Sequence, residues 1–166
     1  MKVKLLIPTD IPALIALRRE ALESSPLSFA SSLEDDRCLK TDFMQNSFTN
    51  TESFATFGLF LAEQLVGMVG LGREAKLKAR HKAYIWGMYV RGENRGQGGA
   101  SQLMNAAIAH ARSWSGILQI HLSVSETAQE AKGLYTKMGF QEWGREPRAL
   151  QWEGQFVDEV HLVLNL

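Results

Sequence analysis

The segment Val90-Arg91-Gly92-Glu93-Asn94-Arg95-Gly96-Gln97-Gly98-Gly99-Ala100-Ser101 places four glycines within eight residues. Before it, residues 83–90 are rich in aromatic and β-branched side chains, the composition of a strand. After it, Ala100, Leu103, Ala107, Ala111 and Trp114 recur at helical spacing, which predicts a helix from about Gly98 to Ser113. Glycine is costly at such a junction unless the backbone must reach positive φ or approach another group closely. One glycine would suffice for an ordinary cap. The first N–H groups of a helix have no internal partner and carry the positive end of its dipole, so they suit an anion. Ala100 and Ser101 are small enough to leave those groups open, and Arg95 adds a cation at the rim. Residues 95–101 therefore read as a cradle for a pyrophosphate.

Two common phosphate-binding designs do not fit. A Walker loop ends in Gly-Lys-Ser/Thr, and here Gly99-Ala100-Ser101 lacks the lysine. A dinucleotide fingerprint is approached by Gly96 and Gly98, but Ser101 replaces its third glycine. No acidic residue closes the next strand, residues 117–124, where a ribose would need one. The turn also follows an antiparallel part of the chain, the wrong context for a dinucleotide fold.

Residues 3–7 read as a strand stopped by Pro8-Thr9-Asp10, with Thr9 or Asp10 capping a helix through Glu23. Residues 33–48 read as two short helical pieces divided near Lys40-Thr41. Residues 57–62 and 65–71 form a hairpin around Glu63-Gln64. Thr127-Ala128-Gln129-Glu130 fits a capping box for a helix ending at Met138, with Gly139 as its stop. Residues 141–152 and 155–164 flank Glu153-Gly154 as a closing hairpin, with Pro147 marking a bulge or an edge. This order predicts a single α/β domain over residues 1–166: a mixed, mostly antiparallel central sheet flanked by helices on both faces.

Composition narrows the partners. Eighteen basic and eighteen acidic residues cancel, which gives no reason to expect nucleic acid or an anionic membrane. No apolar run approaches membrane-spanning length, and the N-terminus is too short and too charged for a secretory signal, so a cytoplasmic protein is expected. The single cysteine, Cys38, excludes an intrachain disulfide and reads as a small, partly buried residue. His81, His110, His121 and His161 show no metal-ligand spacing.

The run Arg95-Gly96-Gln97-Gly98-Gly99-Ala100 resembles the Arg/Gln-x-x-Gly-x-Gly/Ala signature of GNAT superfamily N-acetyltransferases. So do the strand Trp86-Gly87-Met88-Tyr89-Val90, the stretch Ala131-Lys132-Gly133-Leu134-Tyr135-Thr136-Lys137-Met138-Gly139-Phe140 and the closing hairpin. The resemblance implies that Arg95, Gly96, Gln97, Gly98, Gly99, Ala100 and Ser101 hold the pyrophosphate of acetyl-CoA, used as co-substrate. It implies that the strand splays from its neighbour after Val90, and that backbone groups of Met88, Tyr89 and Val90 pair with the pantetheine arm. One N–H there would polarise the thioester carbonyl. Tyr135 matches the tyrosine that protonates the departing thiolate, and a phenol is protonated at neutral pH.

The reaction implied is direct attack by a primary amine, of a small molecule or a peptide, on the thioester in a ternary complex. Dimers are common among the proteins that this chain resembles. Two positions depart from the family pattern. Ala128 stands where many members carry Asn, and Tyr84 where many carry a glutamate that takes the amine's proton. The base is then sought among Glu34, Glu74, His81 or a water chain. The acceptor pocket is expected from residues 26–43 with Phe29, Trp86, Trp143 and Trp152, and Asp158-Glu159 could face a cationic amine. Tyr84 and Ala128 also leave open a catalytically silent module that binds acyl-CoA as a sensor or interaction partner.

Overall fold

The computed structural model describes residues Met1–Leu166. In chain order the elements are β1 (Lys2–Leu5), α1 (Ile11–Ser24), α2 (Thr41–Thr49), β2 (Phe54–Leu61), β3 (Gln64–Arg73) and β4 (Lys82–Val90). They continue with α3 (Gly99–Ser113), β5 (Gln119–Ser125), α4 (Gln129–Lys137), β6 (Gln141–Trp152) and β7 (Gln155–Asn165). The strands form one sheet in the order β1-β2-β3-β4-β5-β7-β6. Every pairing is antiparallel except β4 with β5.

Alternation along the strands feeds two cores, one on each face. On one side Val66, Val69, Leu71, Leu122 and Val124 meet Leu103, Met104, Ala107 and Ala111 of α3 and Tyr135 of α4. On the other, Leu65 and Met68 meet Leu14, Leu17 and Ala21 of α1 and Met44 of α2. Leu103 and Met104 have no exposed surface, so truncating either to alanine would cost about 2–5 kcal/mol.

Local chemistry moved several boundaries. Asp10 does not cap α1 with its side chain; its carboxylate turns back to accept from the Ile7 N–H at 2.9 Å. The first hairpin turns at Ala62-Glu63, because Gln64 is already paired with Leu61. The expected capping box at residue 127 does not form: Thr127 Oγ1 is engaged by Ser125 Oγ at 2.9 Å, and Ala128 becomes the cap of α4. Pro147 marks both features expected of it. It lies on the edge strand β6, inside the register shift between Glu146 and Leu150.

Candidate active site

The parallel pairing of β4 with β5 covers only Lys82–Tyr84 against Gln119–His121. The splay thus begins after Tyr84, six residues earlier than expected, and a bulge accompanies it. Met68 faces Tyr89 and Gly70 faces Trp86, so β4 carries one residue more than β3 between those pairs. Gly87, at φ +64°, supplies the left-handed conformation there. Beyond Tyr84 the edge of β4 toward β5 therefore has no strand partner.

The cleft between the splayed strands holds a cavity of about 690 Å³. Met88, Tyr89, Val90, Arg95, Gly96, Gly98, Gly99, Ala100, Ser101 and Tyr135 all line it. Gln97 does not: its exposed side chain donates outward to the Glu93 carbonyl at 3.4 Å. No protein acceptor takes the N–H groups of residues 96–101; the first to bond is that of Gln102, to the Gly98 carbonyl at 3.1 Å. Gly98 caps α3 at φ +79°, with nothing within 4 Å of where its Cβ would stand. Gly99 has a different reason. Its Cβ would lie 2.4 Å from Leu59 Cδ2, so the missing side chain seats α3 against β2.

Side chains hold this junction from behind. Arg95 Nε donates to the Val90 carbonyl at 2.9 Å, and its guanidinium lies over the Tyr89 ring. Glu20 of α1 accepts from Tyr89 Oη at 3.1 Å and pairs with Arg91 Nη2 at 2.9 Å, on either side of Val90. Tyr135 is 5% exposed, its ring edge-on to Phe140. Its hydroxyl has no hydrogen-bond partner in the protein, and burial pushes the phenol up to about 12.

A second cavity of about 600 Å³ adjoins the first, sharing Phe29, Trp86, Gly87, Leu122 and Ser123. Of the residues expected around an acceptor, 28–31, 35–38, Phe43, Trp86 and Trp143 line it, and Tyr84 joins them; Trp152 lies elsewhere. Asp158 pairs with Arg145 at 3.4 Å on the surface, whereas Glu159 is half-buried and lines the cavity. Burial raises the Glu159 carboxyl above the usual range.

None of Glu34, Glu74 and His81 lines either cavity. Tyr84 does, and burial raises its phenol, which makes it a still poorer base. His121 and His161 also line it, brought there by the strand order, which local sequence does not carry. Burial lowers the His121 imidazole, keeping that ring neutral. Cys38 is partly buried, and desolvation pushes its thiol to about 12, so it is not a ready nucleophile.

Arg18 crosses the wall of this cavity. Its Nε and Nη2 donate to Asp36 Oδ2 at 3.0 and 2.6 Å, and its guanidinium lies over the Phe29 ring. Arg18 Nη1 is buried without a partner, 3.6 Å from where a Cβ on Gly87 would stand.

The model of the Acetyltransferase (GNAT) family matches residues 15–140. This chain belongs to the GNAT family of acetyltransferases. The match reaches from α1 through the glycine turn to Phe140, so it contains both walls of the cleft and Tyr135. An L-methionine sulfoximine/L-methionine sulfone acetyltransferase of Pseudomonas aeruginosa is 34% identical over 80 residues, 48% of this chain and 45% of that protein. The chain thus aligns with less than half the length of this relative. Among solved structures, a GNAT-family acetyltransferase from Streptococcus pneumoniae superposes with TM-score 0.87 at 24% identity, covering 99% of both chains. A structure from Salmonella typhimurium, solved with its cofactor acetyl-CoA, gives TM-score 0.86 at 16% identity, covering 100% of this chain and 94% of that one. These likenesses extend the GNAT fold beyond the matched segment to the closing hairpin. No helix is long and apolar enough to cross a membrane.

Proposed function

We propose that this GNAT acetyltransferase moves the acetyl group of acetyl-CoA to the primary amine of a small, amino-acid-like acceptor by direct attack in a ternary complex. The observation that carries the reading is the run of unbonded N–H groups from Gly96 to Ser101, opening on the same cleft as Tyr135. Such a run suits a pyrophosphate and little else in this setting. The unpaired edge of β4 suits the amides of a pantetheine arm, which would add to the sheet as a short strand does. The bulge at Gly87–Met88 supports the reading that an N–H there polarises the thioester carbonyl.

Tyr135 then acts as the acid. Attack forms the C–N bond, the C–S bond breaks, and the phenol protonates the departing thiolate. At about 12 the phenol stays protonated throughout the working range.

The acceptor class rests on the second cavity. Arg18 keeps Nη1 free beside Gly87, and Arg37, stacked on Phe43, has no carboxylate partner. Glu159 faces the same space from the sheet. Cations on one side and a carboxylate on the other suit a zwitterion. The Pseudomonas relative, named for two amino-acid analogues, points the same way.

The test is release of free coenzyme A from acetyl-CoA across an amine panel that includes L-methionine sulfone, lysine peptides and polyamines. Turnover of the amino-acid members alone is expected. Thermal stabilisation by acetyl-CoA without turnover of any amine would leave only acyl-CoA binding, and stabilisation by NAD but not acetyl-CoA would overturn the reading.

A further inference from the structure

One polar chain at the meeting point of the two cavities has no part in the chemistry above. Ser123 on β5 is exposed and lines both cavities. It stands directly opposite His161 of β7, and Ser123 Oγ lies 2.8 Å from His161 Nδ1. The other ring nitrogen, Nε2, faces Glu146 Oε2 of β6 at 3.5 Å. Trp143 stacks on the same imidazole, with ring centroids 5.4 Å apart and 30° between the planes. Hydroxyl, imidazole and carboxylate thus follow one another across three neighbouring strands, with the hydroxyl at the cleft.

We propose that Ser123, His161 and Glu146 form the proton relay that receives the proton of the acceptor amine, Ser123 being the residue that touches the substrate. The relay rests on the acetyl-transfer reading given above and fills the role left vacant by Tyr84. With Nε2–H turned to Glu146, His161 Nδ1 is free to accept the Ser123 O–H. As the amine nitrogen bonds to the thioester carbon, its proton passes to Ser123 Oγ and the hydroxyl proton passes to His161 Nδ1. The resulting imidazolium is compensated by Glu146, and Tyr135 separately protonates the thiolate. One proton is gained on His161 and one lost from Tyr135, and exchange with water restores both. An imidazole suits this task because its charge changes near neutral pH.

Other charged groups face the same ring. Glu159 comes from its own strand and His121 from β5. Tyr84 on β4, the Arg18–Asp36 pair and Arg37 close the opposite wall. Asp35 and Asp36 also line the cavity, Asp36 held by Arg18, and burial raises Glu159, so the measurement must separate Glu159 from His161.

The experiment uses the full chain with acetyl-CoA and L-methionine sulfone. Wild-type kcat should fall as pH drops, because a protonated imidazole cannot receive the amine's proton. Ser123→Ala and His161→Gln should each lower kcat about 10²-fold and flatten that acid limb, while the KM for acetyl-CoA holds. Ser123→Thr should restore most of the rate, and Glu146→Gln should cost no more than about fivefold, as an exposed ion pair would. An acid limb abolished by Glu159→Gln but kept in His161→Gln would overturn the relay. Nitrogen-15 NMR of the imidazoles supplies a readout that needs no turnover. His161 is expected as the Nε2–H tautomer, and finding Nδ1–H would overturn the relay whatever the amines show. Absence of turnover with every amine, with acetyl-CoA still bound, would overturn the acetyl-transfer reading and the relay with it, whereas turnover with His161 as the Nδ1–H tautomer would overturn the relay alone.

Discussion

The two ends of the cleft are made of different material. The glycine-turn end is built from backbone: unbonded N–H groups from Gly96 to Ser101 and an unpaired edge of β4. The other end, the proposed acceptor site, is built from side chains drawn from distant parts of the chain, with Arg18 from α1, Arg37 from a short turn, and Ser123 and His161 from paired strands. A backbone site depends on what is absent, namely the Cβ atoms that would obstruct it. A side-chain site depends on which residues the fold brings together. The first should tolerate most changes except to glycine, and the second should respond to single polar substitutions.

The sharpest break in that contrast should come at Arg18. Arg18→Ala leaves Asp36, 3% exposed, as a buried unpaired carboxylate and should lower stability by about 3–5 kcal/mol in urea denaturation. Pairing Arg18→Met with Asp36→Leu should recover most of that stability. If the pair serves recognition as well as packing, the double variant will bind acetyl-CoA normally yet show a raised KM for the amine.

Next in size is Tyr135→Phe, expected to lower kcat about 10²-fold with little change in either KM, measured by coenzyme A release. Unchanged turnover at every pH would remove the acid role. At the backbone end, Gly98→Ala should cost about 1–2 kcal/mol for a left-handed alanine and weaken acetyl-CoA binding about tenfold by calorimetry. Gly92→Ala is the control. It lies in the same glycine-rich segment but does not line the cavity, so affinity should hold.

The smallest effect is a pH dependence of folding. Tyr135 titrates higher in the folded protein, at about 12, than in an unfolded chain, near 10. Its contribution is complete below pH 10, because the unfolded state loses its proton first as pH rises. Stability should fall by about 1 kcal/mol between pH 10 and 11, and Tyr135→Phe should remove that part of the slope in thermal melts.

Legibility in the sequence followed the same division. Glycine density, the strand before it, the helical stripe after it and Leu134-Tyr135 are local signals within about fifty residues, and they were enough to reach the family and the residues that line the cleft. Misplacements arose where a nearby polar group competed, as Ser125 does for Thr127 and the Ile7 N–H for Asp10. Glu34, Glu74 and His81 carry residue types suited to a base. Their side chains lie outside both cavities, while Ser123 and His161, 38 residues apart, become direct neighbours only when β5 pairs with β7.

What the chain determined by itself was the open glycine turn, because positive φ and a missing Cβ are properties of single residues in one turn. Tertiary structure decided three further things. It set the splay after Tyr84, where the short parallel pairing of β4 and β5 ends. It left Arg18 Nη1 unpartnered beside the Gly87 bulge. It also aligned Ser123, His161 and Glu146, since a strand's side-chain period fixes which face a residue takes but not which strand will lie beside it.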